Sequence, residues 1–105
     1  MKKVFTLRLR NGSEPFSEWL QRLEIREQAA IRAYIDRVAM GGGKKNVKPL
    51  AHGVFEVKID RGPGYRVYFG QDGNEIILLL LGGDKGSQSR DIKLAKEYWR
   101  TYVQK

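Results

Sequence analysis

Hydrophobic and polar positions along the chain fall into two alternating regimes. Lys3 to Arg10 has period two: Phe5, Leu7 and Leu9 face one way, and Thr6, Arg8 and Arg10 the other, as in a half-buried strand. Phe16, Trp19, Leu20 and Leu23 then recur at i, i+3, i+4 and i+7, which makes one apolar face of a helix. Ser13 stands where an N-cap belongs, and Pro15 is tolerated in a first turn whose amides lack partners. The apolar register shifts near Glu24. A second helix is expected from Arg26 to Met40, with Ile31, Ile35 and Val38 inward and Arg26, Arg32 and Arg37 outward. A single bent helix would fit the same pattern. Gly41-Gly42-Gly43 ends it, and Lys44 to Pro49 reads as a basic loop.

Period two returns from Val54 to Asp60, with Phe55, Val57 and Ile59 on the core side and Glu56, Lys58 and Asp60 facing outward. Arg61-Gly62-Pro63-Gly64 is a turn. Tyr65 to Phe69 is the next strand, with Tyr65, Val67 and Phe69 opposite Arg66 and Tyr68. Gln71 to Asn74 is a second hairpin turn. Ile76 to Leu81 is apolar at every position, so it is expected to be a central strand covered on both faces. After Gly82-Gly83, a polar loop leads into a last helix from about Arg90 to Tyr102, capped by Ser89 or Ser87. The order is β-α-α-β-β-β-α in a single domain, residues 1–105, with no repeat or long linker.

Charge sharpens this picture. Twenty basic against twelve acidic residues give +8, which points to a polyanionic partner such as nucleic acid. The chain has no cysteine, and hence no disulfide framework or thiolate site. The longest apolar run falls far short of a membrane span, and the N-terminus lacks the apolar core of a secretory signal. A cytoplasmic protein without membrane contact is expected. His52 is the lone histidine and sits in a loop, so it is expected to be exposed rather than part of a nucleophilic triad. No P-loop pattern accompanies the triple glycine. No cofactor or metal site is suggested.

What remains is a set of cations. Lys58 and Arg66 lie on adjacent antiparallel strands, and Lys85 enters from the loop after the central strand. Arginine holds phosphate as a fork and lysine as a point charge. RNA cleavage needs little more, because the substrate's own 2′-OH is the nucleophile and clustered cations stabilise the phosphorane. A crowded lysine, Asp91 or Glu56 can take the proton. The same charges also suit the plain solvated side of a half-exposed sheet.

The run IDRGPGYRVYF, a hairpin, and then IILLLLGGDKGSQSRDIKLAKEYW resemble the RelE/ParE toxin superfamily, in particular its HigB-like branch of addiction-module killer proteins. Gly62 to Phe69, Ile76 to Leu81 and Gly82 to Ile92 carry the resemblance, and Phe16 to Leu23 fits it. It implies an α+β, RelE-like fold with a mostly antiparallel four-stranded sheet packed against helices. It also implies a type II toxin that cuts messenger RNA without metal, commonly at the ribosome, and is neutralised by a cognate antitoxin, usually a small helix-turn-helix protein. Residue by residue, Arg66 matches the phosphate-stabilising arginine, Lys58 a basic strand position and Lys85 the basic loop residue, while Asp91 falls near the catalytic residue at the start of the last helix. Arg61, Tyr65, Tyr68, Ser87, Gln88 and Arg90 are expected to contact RNA. Glu56 and Asp60 depart from RelE, which is basic there, and RelE's tyrosine near the last helix has no counterpart, so the acid and base stay open. The ParE branch instead inhibits DNA gyrase by binding. A non-toxic nucleic-acid-binding domain is a third reading.

Expression in bacteria separates these readings. A gyrase inhibitor induces DNA-damage signalling while translation initially continues, an mRNA-cutting toxin stops translation first, and a binding domain does neither. An adjacent reading frame for a helix-turn-helix protein of ~100 residues is expected beside the toxin gene.

Overall fold

A computed structural model describes residues 2–73 and 76–104, so Asn74 of the expected second hairpin turn lies outside the described residues. The elements are β1 (Lys3–Thr6), α1 (Pro15–Gln21), α2 (Ile25–Ala39), β2 (Val47–Pro49), β3 (Val54–Ile59), β4 (Tyr65–Asp72), β5 (Ile76–Gly83) and α3 (Gln88–Val103). Short 3₁₀ turns occupy Lys44–Asn46 and Lys85–Ser87. The strands form one sheet in the order β1-β5-β4-β3-β2. β1 runs parallel to β5, and the other neighbours are antiparallel.

The α+β class and the two separate N-terminal helices are as expected, but the sheet has five strands rather than four. The extra strand is β2, which reads as loop because its three residues are too few to show alternation. Pro49 is tolerated there because β2 is an edge and needs no outward N–H. Two caps also differ from expectation. Ser13 does not cap α1; its hydroxyl and the Glu14 amide both donate to Glu18. The last helix begins at Gln88, two residues early, because Asp84 accepts from the amides of Gly86 and Ser87 and stabilises the preceding 3₁₀ turn.

β5 is an interior strand, between β1 and β4, and both its faces are covered. Ile77 and Leu79 join a core with Phe16 and Leu20 of α1 and Ile31, Ile35 and Val38 of α2. Leu78 and Leu80 point the other way, to Ala95 and Trp99 of α3. The sheet is thus sandwiched between α1 and α2 on one face and α3 on the other.

A bulge adjusts its open end. Tyr68 pairs with Leu81 but Phe69 with Leu79, so Leu80 is an extra residue on β5. A one-residue shift swaps the faces. Beyond the bulge, Gly82 lies opposite Val67 of the α1/α2 core, and Gly83 lies opposite Arg66 on the α3 face. Among the described residues, no helix is long and apolar enough to cross a membrane.

Each face seats an indole on a glycine. A Cβ on Gly82 would fall 2.1 Å from the Trp19 ring, and one on Gly70 2.0 Å from the Trp99 ring. Gly70→Ala therefore has to lift Trp99 and α3 off the sheet. It is expected to cost about 1–3 kcal/mol of stability, the usual penalty for overpacking a core, read as a lower urea midpoint.

Candidate nucleic-acid interface

Cross-strand pairing builds the site in two rows on the α3 face. Antiparallel partners share a face, so Lys58 (β3), Arg66 (β4) and Gly83 (β5) form one row. Lys48 (β2), Glu56 (β3), Tyr68 (β4) and Leu81 (β5) form the next. The expected alignment of Lys58 with Arg66 is therefore present. Lys85 approaches from the turn after β5: a Cβ on Gly64 would lie 3.8 Å from the Lys85 Cβ and 3.3 Å from Arg66 Nη1.

The first turn of α3 and the turn before it close over these rows. Arg66 is only 6% exposed, Glu56 4%, Asp91 5% and Tyr68 0%. Glu56 reads as outward-facing from its alternation, and alternation does assign it to the second face correctly. That face is covered by a helix rather than by water. Gln88 donates to Glu56 Oε2 at 2.9 Å. Arg66 donates from Nη1 to the Gly64 carbonyl at 2.8 Å, while its Nε lies 4.0 Å from Glu56 Oε2, too far for a hydrogen bond.

Among the described residues, Arg66 Nε and the Tyr68 hydroxyl are buried without a hydrogen-bond partner. Burial first, and then the negative charges of Glu56 and Asp91, push the Tyr68 phenol well above the ordinary tyrosine range. It is therefore neutral at any physiological pH, a donor awaiting an acceptor.

Asp91 is engaged from several sides. The Ser87 hydroxyl donates to its Oδ2, Arg90 Nε lies 3.7 Å from its Oδ1, and its carboxylate occupies the space a Gly83 side chain would take. Lys58 and Lys85 remain exposed at the rim. Lys58 has only a loose surface contact, 3.8 Å, to Asp60.

Not every expected residue joins this cluster. Arg61 turns to α2 and donates from Nε and Nη2 to Glu27 at 3.0–3.1 Å. Tyr65 packs into the α1/α2 core beside Trp19. Neither shares the Arg66 face. Ser87 and Gln88 lie in the covering turn, while Ser89 and Arg90 are exposed on its outer side. There a groove of about 780 Å³ opens, bordered by Trp19, Asp84, Ser87, Arg90, Asp91 and Tyr98. His52 is exposed in the β2–β3 turn, at the opposite end of β3 from Lys58. Among the described residues, no three His, Cys, Asp or Glu side chains gather as a metal site would require.

Sequence reading missed Gln88 as the partner of Glu56 and Asp84 as the cap. The Glu56 contact joins residues far apart in the chain, so only the fold brings it about. The Asp84 cap was in principle visible as Asp-Lys-Gly-Ser, an acceptor ahead of two amides it can reach.

Residues 18–100 match the family model described as "Phage derived protein Gp49-like (DUF891)". An uncharacterised protein of Haemophilus influenzae is 43% identical over 82 residues, covering 77% of this chain and 82% of that protein. The residues matched by the family model include all of α2, strands β2 to β5 and every member of the polar cluster, and on that basis the chain belongs to the Gp49-like phage-derived family, a toxin-like family of the addiction-module kind.

Proposed function

We propose that this protein is the toxin of a type II toxin–antitoxin pair, of the HigB-like branch of the RelE/ParE superfamily, and that it arrests translation by cutting messenger RNA at the ribosome. The observation that carries this reading is the Lys58–Arg66 row with Lys85 beside it, whose central guanidinium has an N–H without a partner among the described residues. A phosphodiester supplies the missing acceptor. Its developing negative charge meets the buried Arg66 guanidinium, which is worth more there than in bulk solvent, with the exposed Lys58 and Lys85 adding their field from the rim.

The chemistry proceeds on the substrate's own atoms. The 2′-OH loses its proton to a carboxylate, the O2′–P bond forms, the P–O5′ bond breaks, and the leaving O5′ takes a proton from a cationic side chain or water. Of the two buried carboxylates, Glu56 stands beside Arg66, while Asp91 is occupied by Ser87. We assign proton removal to Glu56 and the organisation of the loop to Asp91. Lys58 and Lys85 hold the flanking phosphates, and Ser87 and Arg90 border the path of the strand. A cognate antitoxin of the helix-turn-helix type is the expected protein partner.

Lys85→Ala removes an exposed side chain and is expected to leave the urea midpoint unchanged while lowering the cleavage rate about 10²–10³-fold, the usual loss for one charge-stabilising group. Arg66→Lys keeps the buried charge but loses the fork, and a similar loss is expected. Primer extension on reporter messages reads both variants. Cuts confined to translated regions in the parent and absent in the variants are the expected result. Full growth arrest by both variants would sink the proposal.

A further inference from the structure

We infer that residues 84–91 form a lid that gates the Arg66 site, and that the hydrogen bond from Gln88 to Glu56 is its latch. This deepens the reading of the site as one for RNA phosphate and rests on that reading. The starting point is a conflict. Arg66 and Glu56 have the chemistry for a phosphodiester, yet both are more than nine-tenths buried beneath this segment. A strand of RNA cannot reach them while the segment stays down.

The segment is weakly held. Asp84-Lys85-Gly86-Ser87-Gln88-Ser89-Arg90-Asp91 contains no apolar side chain, so no hydrophobic burial fastens it. Its polar contacts are mainly internal: Gly86 and Ser87 to Asp84, and Ser87 to Asp91. Among the described residues, Gln88 to Glu56 is its one side-chain hydrogen bond to the sheet.

The remainder of α3 is different. Ala95 is fully buried and Trp99 is seated on Gly70, so that part stays in place when the first turn lifts. Regions with few apolar contacts open at much lower free energy than the whole domain.

The underside of the lid favours opening. Closure leaves Arg66 Nε and the Tyr68 hydroxyl without partners, a cost that water or phosphate removes. The latch also occupies the oxygen of Glu56 nearest Arg66. Lifting it therefore frees the carboxylate and uncovers the guanidinium in one movement. Lys58 on β3 and Lys85 on the lid's own outer surface, both exposed, attract the phosphate backbone before the lid moves.

The test uses the full chain and an RNA oligonucleotide with 2′-O-methyl sugars, which has no free 2′-OH and cannot be cut. Gln88→Ala removes the latch, and Gln88→Glu sets a second carboxylate against Glu56. Both are expected to speed hydrogen exchange at the amides of residues 86–92 by roughly threefold to tenfold, the factor that one hydrogen bond represents. Exchange at residues 96–103 is expected to stay the same. Gln88→Ala is also expected to bind the oligonucleotide more tightly by a similar factor, mainly through faster association, because a larger fraction is open. Unchanged exchange at 86–92, acceleration along the whole helix, or weaker binding by Gln88→Ala would overturn the gate. Arg66→Ala separates the two readings. If it binds the oligonucleotide as well as the parent does, the phosphate site fails, while the exchange comparison still reports whether the lid opens.

Discussion

β5 has to leave water on both faces at once. Its run of apolar residues offers no solvent side, so the sheet needs a helical layer above and below. The N-terminal half of the chain supplies one layer with α1 and α2. Only the C-terminal segment remains for the other, and α3 turns back directly after β5 to provide it. The position of the polar cluster follows from that return. α3 begins beside Gly83, so its first turn crosses the end of the sheet where Lys58, Arg66 and Gly83 line up.

Glycine and the β-bulge fit this return into place. Trp99 lies close against the sheet because Gly70 has no side chain, and that contact sets how near α3 sits. The bulge at Leu80 turns the end of β5 so that Gly83, rather than a residue of the opposite face, meets Asp91. The polar cluster is thus assembled from strand register, one extra residue, one absent side chain and the turn that enters α3.

The cluster itself balances opposing costs. Taking Arg66, Glu56 and Asp91 out of water is expensive unless they are paired and hydrogen-bonded. Glu56 has Gln88 and Asp91 has Ser87, but Arg66 has only one carbonyl acceptor and a distant carboxylate. An incompletely satisfied buried guanidinium beside exposed lysines is poor design for stability and suitable design for an anion. Membership of a toxin-like family of the addiction-module kind accords with that balance, since such a protein acts on another macromolecule.

Much of this was legible before any coordinates. Periods of two and 3.6 placed the helices and the long strands, because burial on one face leaves a local and repeated mark. Alternation also placed Lys58, Arg66 and Glu56 on a common face. β2 left no mark because three residues hold too little pattern. The ties of Arg61 to Glu27, of Tyr65 to the α1/α2 core and of Gln88 to Glu56 left none either, since each joins segments that meet only after folding. The amino-acid order by itself determined which residues have the chemistry and which face of its own element each one shares. Only the tertiary structure decided which faces are covered: packing α3 against β5 turned a row that sequence reads as solvent-facing into a buried polar cluster beneath a helix turn.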